Sequence, residues 1–146
     1  MTRFIGLDHG IRRIGVAIGD TETGMAFARE AIQRRNLNHD LALVGELCAI
    51  EGVERVVIGL PLNMDGSEGP QAEQVRSFGE RLAAIGLAVS YEDERLSTWE
   101  AGERLAGAGR RVRRGSGELD STAARVILQQ YLDARHGPRR PAEETE

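Results

Sequence analysis

Carboxylates are the side chains of this chain best placed to do chemistry, and three positions stand out. Asp8 ends the apolar run of residues 4–7 and precedes a turn containing Gly10, Arg12 and Arg13, so it sits at a strand end. Glu92, Asp93 and Glu94 follow a second strand-like run, residues 87–91. Asp120 shares a helical stripe with Ala124, Ile127 and Tyr131, at i, i+4, i+7 and i+11. A carboxylate on an apolar stripe is costly unless it is paired or metal-bound. A helix cap, or a partner for Arg125 or Arg95, would also account for it. Three acids without a Cys/His cluster select a hard, oxygen-seeking cation, Mg2+ or Mn2+. Two such ions can activate water and stabilise the leaving oxygen of a phosphodiester.

Neighbouring acids do not all qualify. Period-two alternation sends Glu92 and Glu94 to one face of their strand and Asp93 to the other, and spacing alone does not choose between them. Asp20 ends the strand that runs back from the hairpin, so it lies roughly 20 Å from Asp8 and reads as a turn residue. His9 adjoins Asp8 and is a candidate for substrate contact, whereas His39 and His136 read as surface residues. Arg110, Arg111, Arg113 and Arg114 put four arginines in five positions shortly before Asp120. They suit either a solvated basic loop or a phosphate clamp that orders on nucleic acid.

Positioning these groups requires a sheet. Residues 3–8 and 13–19 read as a hairpin and 25–33 as an edge-like third strand. Residues 38–51 carry Leu41, Val44, Leu47 and Cys48 at helical spacing. Residues 55–59 form a continuous apolar run suited to a buried parallel strand. A Gly/Asn/Asp/Pro loop follows over 61–70, then a helix over 71–85 with Val75, Phe78, Leu82 and Ile85 on one stripe. After the 87–91 strand, Ser97 or Thr98 can cap a helix to about 106. Residues 107–118 are Gly/Arg/Ser-rich and expected to be mobile. A last helix spans 119–135, and the tail 137–146 is expected to be disordered. The order is β-β-β-α-β-α-β-α-α, a meander followed by right-handed crossovers, which predicts a mixed α/β sheet with helices on its faces. The strands at 3–8, 55–60 and 87–91 are expected to be parallel, which brings Asp8 and the 92–94 acids to one edge.

Composition bounds the rest. The 146 residues suit one domain, 1–136, and 40% hydrophobic with 29% charged content is ordinary for a globular protein. No apolar run approaches the ~20 residues of a membrane span, the N-terminus leads directly into a strand, and Cys48 is the single cysteine. A cytoplasmic protein is expected. The net charge of −4 gives no global attraction to nucleic acid, so any such attraction must be local. All 19 basic residues are arginine.

Taken together these segments resemble the YqgF family, also called RuvX-like, of RNase H-like nucleases. The resemblance covers about residues 3–135. Gly6-Leu7-Asp8-His9-Gly10 with Arg13-Ile14-Gly15-Val16-Ala17 is similar to the opening motif. Gly59-Leu60-Pro61-Leu62-Asn63-Met64-Asp65-Gly66-Ser67-Glu68 is similar to the central loop and is the most specific match. Asp93-Glu94-Arg95-Leu96-Ser97-Thr98 resembles the third motif, and Asp120 with Ala123, Ala124 and the following helix resembles the last. The resemblance implies an RNase H-like fold, with a mixed five-stranded sheet and helices on both faces, and Asp8, Glu94 and Asp120 as catalytic metal ligands. It selects Glu94 among the acids at 92–94, with Asp93 in reserve.

It also implies a cytoplasmic nuclease acting in 5′-end processing of pre-16S ribosomal RNA, with Holliday-junction resolution as the alternative. Structured RNA or four-way junction DNA is the expected partner, met by Arg95, Arg110, Arg111, Arg113, Arg114 and Asn63, with the protein a monomer or homodimer. Two other classes are weaker. An actin-like ATPase would share Gly6-Leu7-Asp8-His9-Gly10 but needs a second phosphate loop that this chain lacks. A non-catalytic RNA-binding module on the same fold would bind without cleaving.

Overall fold

The computed structural model describes residues 1–94 and 117–136, with the side chains of 117–120 and 136 left out. The basic segment, the helix expected after Ser97 and the C-terminal tail lie outside the described residues. Five strands form one sheet: β1 (Arg3–His9), β2 (Arg13–Asp20), β3 (Ala26–Gln33), β4 (Val53–Leu60) and β5 (Val89–Asp93), in the order β3-β2-β1-β4-β5. β1–β2 and β2–β3 pair antiparallel, whereas β1–β4 and β4–β5 pair parallel. The mixed five-stranded sheet expected from the sequence is therefore present, with β3 at one edge, as expected, and β5 at the other. The last strand begins at Val89 and runs on to Asp93, two residues later than its apolar residues suggested.

Helices cover both faces. α1 (Leu37–Glu51) starts at Asn36, whose side chain accepts from the His39 amide at 2.8 Å. α2 (Pro70–Ala84) starts on a proline at its first position, where no amide hydrogen is needed. Both pack on the face that carries Ile5, Leu7, Ile14, Val16, Val56 and Ile58, against Val44, Cys48, Val75, Phe78 and Leu82. Burial pushes the Cys48 thiol up to about 11.

α3 (Gly117–His136) lies alone on the opposite face among the described residues, with Ala124, Ile127, Leu128, Tyr131 and Leu132 against Phe4, Ala17, Ala26 and Val57. Polar bonds fix its position on β3. Gln129 accepts from the Ala26 amide at 2.9 Å and donates to the Gly24 carbonyl at 2.8 Å, and the Ser121 hydroxyl donates to the Arg29 carbonyl. Gly6, Gly19 and Gly59 let α3 come close. A Cβ on Gly6 would lie 2.7 Å from Leu128 Cβ and 3.0 Å from the Ala124 carbonyl oxygen, so only glycine fits there.

Candidate active site

β1 alternates its side chains between the two helical layers. Ile5 and Leu7 enter the core beneath α1 and α2, while Phe4 and Gly6 face α3. Asp8 is next on the α3 face, at the C-terminal end of β1, opposite Gly15 of β2. The parallel register sets Gly6 beside Val57 and Leu7 beside Ile58. One further step carries Asp8 to the level of Gly59, and Gly59 in turn pairs with Glu92.

Gly59 is where the second acid arrives. A Cβ there would lie 2.9 Å from Glu94 Oε1 and 2.5 Å from Ile127 Cδ1. The Glu94 carboxylate thus lies over the bare backbone of Gly59, one strand from Asp8 and against α3. Desolvation raises its pKa above the ordinary glutamate value. Glu92, on the same face, is held by Gln130 Nε2 at 2.6 Å. Alternation turns Asp93 to the side where Tyr91 packs on α2.

α3 runs antiparallel to β1. Its Tyr131 meets Phe4 at 5.6 Å between ring centroids, and Ala124 and Leu128 cover Gly6. Asp120 is one turn before Ala124, so its backbone stands at the sheet edge that carries Asp8 and Glu94. Among the described residues no three His, Cys, Asp or Glu side chains form a metal-holding group, and the Asp120 side chain is outside that set. What is described suits a hard cation: oxygen donors on one face, one of them desolvated where a cation would offset the burial of its charge.

The remaining candidates divide. Arg95, Arg110, Arg111, Arg113 and Arg114 lie outside the described residues. Asn63 belongs to the loop between β4 and α2, and its side-chain amide donates to Ser67 Oγ at 2.9 Å within that loop. Asp20 accepts from the amide of Thr23 at 2.7 Å, which makes it a turn residue, as expected. His9 faces away from Asp8. It packs on Phe78 at 4.7 Å between ring centroids, and desolvation, then the charge of Arg34, lowers its pKa to about 4. It is a neutral, half-buried imidazole.

One cluster was not anticipated. The side chain of Asp40 is fully buried and accepts from Arg34 Nε at 3.1 Å and the Arg35 amide at 3.2 Å, with His39 Nδ1 at 2.9 Å. Desolvation works against its charge, but the bonds from His39, Arg35 and Arg34 outweigh it and hold the pKa below the ordinary carboxylate value. Arg34 also donates to the Gly10 carbonyl at 2.7 Å. An ion pair on a buried carboxylate therefore grips the turn that follows Asp8. Its signal was present in the sequence, because Asp40, Val44 and Cys48 share one helical stripe.

The "RuvX: Holliday junction resolvase" family model matches residues 2–134. A candidate pre-16S rRNA nuclease of Anaeromyxobacter dehalogenans is 46% identical over 134 residues, 91% of this chain and 98% of that protein. Its counterpart in Moorella thermoacetica is 49% identical over 132 residues, 90% of this chain and 94% of that protein. Among solved structures, Thermus thermophilus RuvC in complex with a Holliday junction substrate superposes with TM-score 0.62. It has 16% identity and covers 97% of this chain and 99% of its own.

Proposed function

The chain belongs to the RuvX (YqgF) family and has an RNase H-like fold, and from that premise we propose that it is a metal-dependent nuclease that trims the 5′ side of pre-16S ribosomal RNA. The observation that carries the reading is the Glu94 carboxylate lying over Gly59, one strand from Asp8, on the face that α3 closes. Asp8, Glu94 and Asp120 would hold Mg2+ or Mn2+, in our reading as a pair of ions. When bound, such ions supply Lewis-acid activation of water and stabilise charge on the phosphate and the leaving oxygen.

The chain's own residues prepare this site. Gly59, lacking a side chain, leaves the space that the Glu94 carboxylate occupies. Ile127 packs over the same spot and excludes water from one side of that carboxylate. Arg34 holds the carbonyl of Gly10, which keeps the backbone after Asp8 in place. Arg95 and the arginines at 110, 111, 113 and 114 would position phosphates, adding local positive charge to a chain that is negative overall. No helix among the described residues is long and apolar enough to cross a membrane, and we place the protein in the cytoplasm with its ribosomal substrate.

The test is cleavage of matched precursor-RNA and four-way-junction DNA panels with Mn2+, by wild type and Asp8→Asn. Wild type is expected to cut the RNA, and Asp8→Asn to lose about a thousandfold in rate. Full activity in Asp8→Asn would end the assignment of Asp8. Preferential, paired nicking of the junction by a two-fold dimer would replace the RNA substrate with a recombination intermediate.

A further inference from the structure

We propose that Ile11 and Met64 act as two apolar prongs that engage unstacked nucleobases beside the acidic centre, favouring distorted over regular duplex substrate. The inference rests on the nuclease reading above and adds the structural feature of the substrate that is recognised.

Ile11 is 86% exposed and Met64 is 92% exposed, the highest values among the large hydrophobic residues described. Ile11 lies in the turn that leaves β1, and Met64 in the loop that leaves β4. Those strands are neighbours, and their C-terminal ends form the edge that carries Asp8 and Glu94. The other exposed large apolar residues lie elsewhere. Met1 precedes β1 and Met25 precedes β3, while Ile50 and Ile85 lead into β4 and β5, all at the opposite edge; Phe27 is on β3.

Both prongs stand on braced loops. The turn of Ile11 closes through the Gly10 amide on the Arg13 carbonyl at 2.9 Å and is held by Arg34. The loop of Met64 is a miniature hairpin with a Leu62–Glu68 bridge. Across it, the Asn63 amide donates to the Ser67 carbonyl at 2.8 Å, and the Ser67 hydroxyl donates to Asp65 at 2.6 Å. Glu68 then takes a two-pronged ion pair from Arg76 of α2, at 2.6–3.0 Å. Loops tied in this way keep the Ile11 and Met64 side chains exposed.

A regular duplex offers such tips only phosphates and base edges. A bulge, loop or branch offers apolar base faces, against which Ile and Met can wedge. Contact with a base face is tolerant of sequence, so the prongs would select shape.

The experiment uses the full chain carrying Asp8→Asn, so that substrate stays intact, with Mn2+ and an RNA bearing 2-aminopurine at a single bulge. Ile11→Ser and Met64→Ser should each weaken bulged-RNA binding about tenfold and reduce the fluorescence change, leaving matched-duplex affinity unaltered. Met64→Leu should restore both. Melting curves check that each variant is folded. Equal loss on bulged and matched RNA, or no loss, overturns the proposal. Two outcomes separate it from the reading beneath it. If wild type cuts nothing while the fluorescence still depends on the prongs, the nuclease assignment fails and the prongs stand. If wild type cuts but the Ser variants keep its preference for bulged over matched RNA, the prongs fail and the nuclease stands.

Discussion

Toward α1 and α2 the central strands present Ile5, Leu7, Val16, Val56 and Ile58; toward α3 they present Gly6, Ala17, Gly19, Val57 and Gly59. The first face is filled by branched side chains that interlock with two helices. The second is flat at Gly6, Gly19 and Gly59, where one helix comes close to its backbone. The larger apolar core and the proposed active site thereby fall on opposite sides of the same strands. Large residues supply buried apolar area, and small ones bring α3, which carries Asp120, close to the strands that carry Asp8 and Glu94. The polar groups obey the same division. His9 on the first face is stacked and neutral, whereas Glu94 on the second is a desolvated acid beside a glycine.

The sharpest way to break this division is Glu94→Gln. Mn2+-dependent cleavage should fall by about a thousandfold while melting without added metal is unchanged or slightly improved, because a buried charge is removed. A large drop in melting temperature would mean that Glu94 holds the fold, and the division would be wrong. Leu7→Ala, one residue before Asp8, should do the reverse. It should cost about 2–5 kcal/mol of stability in chemical denaturation, with rates in the still-folded fraction close to wild type.

Gly59→Ala crosses the boundary between the two roles. Its Cβ would meet Ile127 and Glu94, so a destabilisation of about 1–3 kcal/mol is expected. A rate loss beyond what the unfolded fraction explains should accompany it, measured by cleavage well below the melting temperature. The smallest effect is the pH response. His9 titrates near 4 when folded and near 6.5 when unfolded, so between those values the unfolded chain binds more protons. Metal-free protein should lose about 1–2 kcal/mol between pH 7 and pH 4, allowing for solvent contact. His9→Phe should flatten that slope. Glu94 contributes the opposite sign, since its raised pKa makes the folded state bind more protons just above pH 4.5. Glu94→Gln should therefore steepen the acid loss in the same titrations.

Much of this was legible in the residues. Asp8 stood out because an apolar run ends on it, and continuous Val and Ile at 56–58 identified a buried parallel strand. The acids at 92–94 were different. Alternation excludes one face but cannot say which face carries the helix, and that depends on Gly6 and Gly59 admitting α3 on their side. Sequence adjacency drew His9 toward Asp8, whereas neighbouring residues of a strand point apart. The stripe argument that singled out Asp120 applies equally to Asp40, and Asp40 is satisfied by arginine and histidine. A carboxylate on an apolar stripe signals that something must compensate its charge, and only the surrounding residues decide what. The loop over 61–70 read as irregular because a single bridge, a few backbone bonds and the side-chain bonds among Asn63, Asp65 and Ser67 order it, none of which has a periodic signature.

Cys48 has a practical consequence. It is the single thiol of the chain, buried beneath the sheet and reluctant to ionise. Alkylating reagents and oxidants attack thiolates, so this one should stay silent at neutral pH. The wild-type protein is therefore ready for site-directed labelling without a cysteine-free background. Met64→Cys or Ile11→Cys would take one dye or spin label at one prong, so the approach of substrate could be followed as a distance in a single molecule.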